Sequence, residues 1–130
     1  MPTLPDRSQT GSAVVEFALV LPLVLIVALS LVQVGLLVRD RLLIEAAARA
    51  GARVAALEAD VAAVRAAALG AAPDLDPAHA SVDVTRQGTQ GDPVTVSVSY
   101  DELVHVPLIG WLFGASIRLD AGATDRQEFA

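Results

Sequence analysis

The sequence predicts an α+β protein: a long N-terminal transmembrane helix that continues as an extramembrane helix and packs on a small antiparallel sheet of about three strands. Three observations predict it. Phe17 to Val38 is a run of 22 residues without a charged side chain. Beyond it, apolar residues recur at helical spacing as far as Ala68. After Pro73, three segments alternate apolar and polar residues. With 130 residues in all, little chain is left for a second domain once the membrane segment is set aside.

The membrane segment is assigned to residues 12–38. At 1.5 Å per residue, 22 residues reach about 33 Å, enough to cross a hydrocarbon core of about 30 Å with little tilt. A cleavable secretory core is shorter, about 7–15 residues, and no A-x-A site follows this run closely. The helix is therefore expected to stay in the mature protein. Residues 1–11, with Pro2, Pro5, Asp6 and Arg7, form a polar leader unsuited to lipid. Arg7 on one side and Arg39 and Arg41 on the other leave the positive-inside rule without a clear vote on orientation.

Residues 39–72 are assigned to the extramembrane helix. Leu43, Ala47, Ala50, Val54, Leu57, Val61, Val64 and Ala68 alternate spacings of four and three, and Glu45, Arg49, Arg53, Glu58, Asp60 and Arg65 fall off that stripe. The pattern predicts one helix to about Leu69, stopped at Gly70 and Pro73. A narrow stripe of Ala and Val suits close contact, either with the chain's own distal domain or with a neighbouring subunit. Gly51 and the residues at 43, 47, 50 and 54 are its helix-packing candidates. In the membrane segment, Pro22 removes a backbone donor and Gly35 offers close helix approach, while Ser30 and Gln33 are polar enough to bond a neighbouring helix.

Residues 73–130 make up the distal domain. Val82 and Val84, then Val94, Val96, Val98 and Tyr100, then Ile117, Leu119, Ala121 and Ala123 each define a strand with one buried face. Gln87 to Pro93, with Gly88 and Gly91, joins the first two as a hairpin. Leu103 to Gly114 is apolar but too short to span a bilayer; it either closes the core over the sheet or lies against a partner or lipid interface.

Charge and chemistry exclude several functions. All nine basic residues are Arg, and residues 73–130 hold three of them against nine acids. That surface repels phosphate backbones, so no nucleic-acid partner is expected. There is no cysteine, hence no disulfide, thiolate zinc site or iron–sulfur cluster. His79 and His105 are the only histidines, and Asp74, Asp76 and Asp83 are the nearest approach to an acid cluster. No phosphate loop, H-E-x-x-H or activated nucleophile is present, so no metal, cofactor, small-molecule substrate or enzymatic activity is expected.

One feature is left over, at the entrance to the membrane: Gly11-Ser12-Ala13-Val14-Val15-Glu16-Phe17. A carboxylate opens the apolar run. Glu16 is suited to a first helical turn, where the dipole favours negative charge. Alternatively, a peptidase cuts after Gly11, and the new ammonium on Ser12 pairs with the Glu16 carboxylate of a neighbour, since a charge beside apolar surface costs far less when paired.

Gly11 to Leu19, then Leu21-Pro22-Leu23, and then Ala46-Ala47-Ala48-Arg49-Ala50-Gly51-Ala52-Arg53 together resemble the TadE-like proteins of the tight-adherence (Tad) pilus system. The resemblance covers about the first 55 residues. It implies a pilin-like arrangement and a structural role, as a pseudopilin or minor pilin that helps to initiate or assemble a Tad-type pilus or related secretion apparatus. It further implies a prepilin peptidase acting at Gly11–Ser12, with Glu16 and Phe17 mattering for processing or assembly. Phe17 stands where processed pilins of this system commonly have Tyr. The partners implied are the membrane, the peptidase, other Tad pilins and inner-membrane assembly proteins. The location implied is the bacterial inner membrane, with a cytoplasmic N-terminus and an extracytoplasmic C-terminal domain. Two other readings keep the topology: an unprocessed single-pass adaptor binding through its extramembrane helix, and a processed substrate whose acidic domain is exported.

Overall fold

A computed structural model describes residues 7–103, 114 and 116–129, with the backbone alone described for 7–10. Leader residues 1–6 and most of the apolar run, 104–113 with His105, lie outside the described residues.

Helix α1 runs unbroken over Arg7–Leu57, 51 residues, with Pro22 inside it. It starts earlier than the membrane run, taking in the end of the polar leader. From Val14 to Val38 its large apolar side chains are mostly exposed, Phe17 at 65% and Leu19 at 75%. Leaving such a surface in water forgoes about 1.5–3 kcal/mol per large side chain. This is one helix long and apolar enough to cross a membrane, and its most apolar stretch is not buried by the fold.

The extramembrane helix is not continuous to Leu69 as expected. It stops at Leu57, and a second helix, α2, covers Val61–Gly70 after Glu58-Ala59-Asp60. Asp60 is the cause: its backbone is extended, and its carboxylate accepts from the Ala62 N–H at 2.9 Å, an N-cap that starts a new helix. The chain then turns back, so that Val64 and Ala68 lie against Gly51 and Arg39 ion-pairs with Asp74. An αα-hairpin forms where a single rod was expected.

Strands β1 (Ala80–Arg86), β2 (Pro93–Leu103) and β3 (Ser116–Arg126) form an antiparallel sheet in the order β1-β2-β3. Alternation along each strand predicted this arrangement, and the register follows it: Val82 opposes Val98 and Val84 opposes Val96, while Val98 and Val96 oppose Ala121 and Ala123 on the other side. Gly88 and Gly91 take positive φ in the β1–β2 turn, where Asp92 also receives the Thr89 N–H.

Between α1, α2 and the sheet lies the core. Val94, Val96 and Val98 are fully buried against Ile44, Ala47, Ala48, Ala55, Val64 and Ala68. The predicted stripe thus packs on its own domain, but the buried face is wider and its centre lies to one side of the stripe. It takes in Ile44, Ala48, Ala52 and Ala56, because α1 is walled by the sheet and by α2. Leu57 and Val61, both expected on the stripe, are exposed at the tip of the hairpin.

Candidate functional site

At the N-terminal end, Gly11, Ser12, Glu16 and Phe17 are exposed on consecutive turns of α1. The Ser12 hydroxyl donates to the Glu16 carboxylate at 3.4 Å, a long contact one turn apart, and among the described residues nothing lies within 4 Å of where a Gly11 side chain would begin. Further along, Pro22 leaves the helix unbroken, and among the described residues nothing lies within 4 Å of where a Gly35 side chain would begin. At 1.5 Å per residue, Glu16 stands about 50 Å along the helix from Gly51. The structure therefore separates the sequence-predicted residues into two groups: Gly11 to Phe17 at one end, and Leu43, Ala47, Ala50, Gly51 and Val54 beside the sheet.

In the second group, Ala47 and Gly51 are buried and Leu43, Ala50 and Val54 half-buried. Gly51 sits where α1 meets both α2 and the sheet. A Cβ there would stand 3.0 Å from Val96 Cγ1 and 3.3 Å from Ala68 Cβ.

Ser30 and Gln33, the polar residues within the apolar run, differ in their surroundings. The Ser30 hydroxyl donates to the Ile26 carbonyl of its own helix at 2.7 Å, and the Gln33 side chain is 5% exposed, with no hydrogen-bond partner among the described residues. They share a sheltered face with Leu37 and Asp40, the last 6% exposed.

Just past the membrane run, two guanidinium groups tie α1 to the distal domain. Arg39 pairs with Asp74, and Arg41 donates both to the Glu45 carboxylate and to the Asp120 carbonyl on β3. At the far end, Arg86 of β1 closes the helix. It donates to the carbonyls of Ala55 at 2.7 Å and Glu58 at 2.8 Å, and its guanidinium lies 5.3 Å from the Phe129 ring centre. The Glu128 N–H donates to the Ala56 carbonyl at 2.7 Å. Orphan carbonyls at a helix C-terminus need such donors, and here the sheet supplies them. Sequence reasoning missed Arg86, although its position offered a signal: it follows Val82 and Val84 on the inward-facing register of β1.

The acids expected as the nearest thing to a cluster are not brought together. Asp74 is taken by Arg39, Asp76 lies 3.9 Å from the His79 Nε2, and Asp83 stands on the outer sheet face. Asp76 also opens a turn, accepting the Ala78 N–H on its carboxylate and the His79 N–H on its carbonyl. Among the described residues no group of three or more His, Asp or Glu is placed to share a metal ion. On the outer face, Arg118 donates to both oxygens of Asp101, at 3.1 and 3.3 Å, and holds that carboxyl below its ordinary pKa while its own is raised. Burial pushes the Tyr100 phenol up, against a hydrogen bond with the Asp76 backbone.

One long helix, apolar and unburied through its first half and packed on a small sheet by its second, defines an α+β protein with one candidate membrane span. Residues 11–53 match the family model described as TadE-like protein. The match begins at Gly11 and ends two residues past Gly51, so both groups of site residues fall in it except Val54. The match covers about a third of the chain and marks that segment as similar to TadE-like proteins. No curated protein and no solved structure matches the chain.

Proposed function

We propose that the chain is a pseudopilin or minor pilin that helps to initiate or assemble a Tad-type pilus or a related secretion apparatus. In this reading it has a structural role and no enzymatic one. The observation that carries the proposal is the TadE-like match over 11–53, which opens at the Gly11–Ser12 bond on an exposed stretch of helix.

A prepilin peptidase hydrolyses that bond, leaving the Gly11 carboxylate on the leader and an ammonium on Ser12. Gly11 eases local unwinding for cleavage, since glycine is about 1 kcal/mol poorer than alanine in a helix. The new ammonium then pairs with Glu16 of a neighbouring helix, a contact favoured in the membrane because either charge alone is costly there. The leader faces the cytoplasm across the bacterial inner membrane, and the acidic domain stands outside it among other pilins and assembly proteins.

Two measurements test the reading. The N-terminal mass of membrane-extracted protein, from a host with its peptidase, should correspond to a chain starting at Ser12. The variant Glu16→Ala should insert normally but fail to assemble. A terminus at Met1 or Pro2 would refute processing and favour an unprocessed adaptor, normal assembly of Glu16→Ala would refute the pairing, and release of the domain from membranes would favour an exported substrate.

A further inference from the structure

Helix α1 gives one face to the sheet and turns the opposite face outward. At about 100° per residue, Leu42, Ala46, Arg49, Arg53 and Leu57 fall together, roughly opposite Ile44, Ala48, Gly51 and Ala55. All of this outer stripe is exposed except Ala46, which is half-buried. Arg49 reaches Glu45 only at 3.9 Å, and Arg53 has no ion-pair partner among the described residues.

On the other side of the molecule, the outer sheet face is polar. Its cross-strand rows are Thr85–Thr95–Thr124, Asp83–Ser97–Gly122 and Ser81–Ser99–Asp120. Asp83 and Asp120 are exposed, and neither carboxylate has an ion-pair partner among the described residues. The cations on this face are Arg118, already held by Asp101, and Arg126 at the far end of β3.

We propose that the outer face of α1 in one copy docks on the outer sheet face of a second copy, with Arg49 and Arg53 against Asp83 and the hydroxyl rows as further acceptors. This deepens the assembly reading by naming the partner, and rests on it only for the shared membrane orientation.

Two arguments select a second copy. First, the charges are complementary, and an isologous α1–α1 dimer would instead set Arg49 and Arg53 against their own images. Second, the heights agree. Arg86 at one end of β1 reaches Ala55 and Glu58, while the row of Ser81 and Asp120 lies where Arg41 reaches the sheet. Asp83 falls between these rows, next to Val84, whose partner Val96 abuts Gly51. Two copies anchored in one membrane by the same helix therefore present Arg49 and Arg53 level with Asp83. Anchoring also raises the effective concentration of each face for the other. Because the faces lie on opposite sides of the chain, the contact is heterologous and continues from copy to copy.

The absence of native cysteine makes the test clean. A full-length Leu57→Cys/Thr85→Cys variant keeps every charge named and brings one cysteine to each face at the height of the Arg86 row. In membranes of a host without other pilus components, oxidation should give a ladder of dimers, trimers and higher species. Either cysteine alone should give little dimer. Adding Arg49→Glu and Arg53→Glu should cut the ladder about tenfold, and adding Asp83→Arg to these should restore much of it. Circular dichroism of each variant checks that these exposed changes leave the fold intact. No ladder, a ladder indifferent to charge reversal, or efficient dimers from Leu57→Cys alone would each overturn the proposal. Since no peptidase is present, failure here leaves the pilin reading standing, and a Met1 terminus in the native host leaves the ladder standing.

Discussion

Gly51 stands where three elements meet, and replacing it with alanine sets two effects against each other. In a helix interior, Gly→Ala gains about 0.8–1.0 kcal/mol from backbone entropy. The added methyl, however, would sit 3.0 Å from Val96 Cγ1 and 3.3 Å from Ala68 Cβ, where carbon atoms prefer about 3.5–4.0 Å. Val96 is fully buried on the middle strand and Ala68 has no rotamer to change, so relief requires the helices or the sheet to move apart. Overpacking of this kind costs about 1–3 kcal/mol. Gly51→Ala should therefore destabilise by up to about 2 kcal/mol. Urea unfolding of the detergent-solubilised full chain, followed by circular dichroism, measures this. The decisive form is a double-mutant cycle with Val96→Ala, which removes the closest neighbouring atom. In that background Gly51→Ala should turn neutral or stabilising, with a coupling of about 1–2 kcal/mol. If the two changes add within about 0.5 kcal/mol, the close approach at Gly51 does not limit packing and the reasoning fails.

Two further outcomes follow from single contacts. Arg86→Ala removes both donors to the carbonyls of Ala55 and Glu58, and should cost about 2–4 kcal/mol, given about 1.5–3 kcal/mol for a charge-assisted bond and partial exposure of the pair. Amide exchange should accelerate through the last turn of α1, and unchanged exchange there would count against a closing role. Asp101 is held below its ordinary pKa by the hydrogen bond from Arg118, so what the pair contributes is present above the unfolded carboxyl pKa and is lost as pH falls through the folded one, below about pH 4. Arg118→Gln should move the Asp101 titration midpoint, followed by NMR, up towards the ordinary value; an unmoved midpoint would refute the pairing.

Period made the strands legible in the sequence. One face of β2 carries Val94, Val96 and Val98 in strict alternation with Thr95, Ser97 and Ser99, and a shift of register by one residue would expose all three valines. The end of α1 was not legible in the same way. Glu58-Ala59-Asp60 contains neither Gly nor Pro, and the Ala-rich helical pattern runs through it at matching spacing. Only Asp60, an N-cap type immediately before Val61, marks the break, and an acid off an apolar stripe reads equally well as a solvated side chain. The centre of the buried face was misplaced for a related reason. A stripe chosen for one contact cannot anticipate two walls, and alanines on either side of it are equally fit for burial. At the site, Gly11 to Phe17 drew notice in the sequence because a carboxylate opening an apolar run needs an account. Arg86, the only Arg facing inward on its strand, needed one as well.

Continuity of α1 links these observations. The helix that carries Glu16 near its start is the same one that carries Gly51, Arg49 and Arg53 beside the sheet, with no break at Pro22 between them. Its exit from the apolar run is tied to the domain by Arg39 and Arg41, and its end is closed by Arg86 and the Glu128 N–H. The sheet is thus fixed to α1 at both ends as well as along the valine face. A fold fixed in this way holds the height and facing of the sheet to those of the membrane segment. Register between copies set at Glu16 would then also be set at Arg49 and Asp83, about 50 Å along the helix.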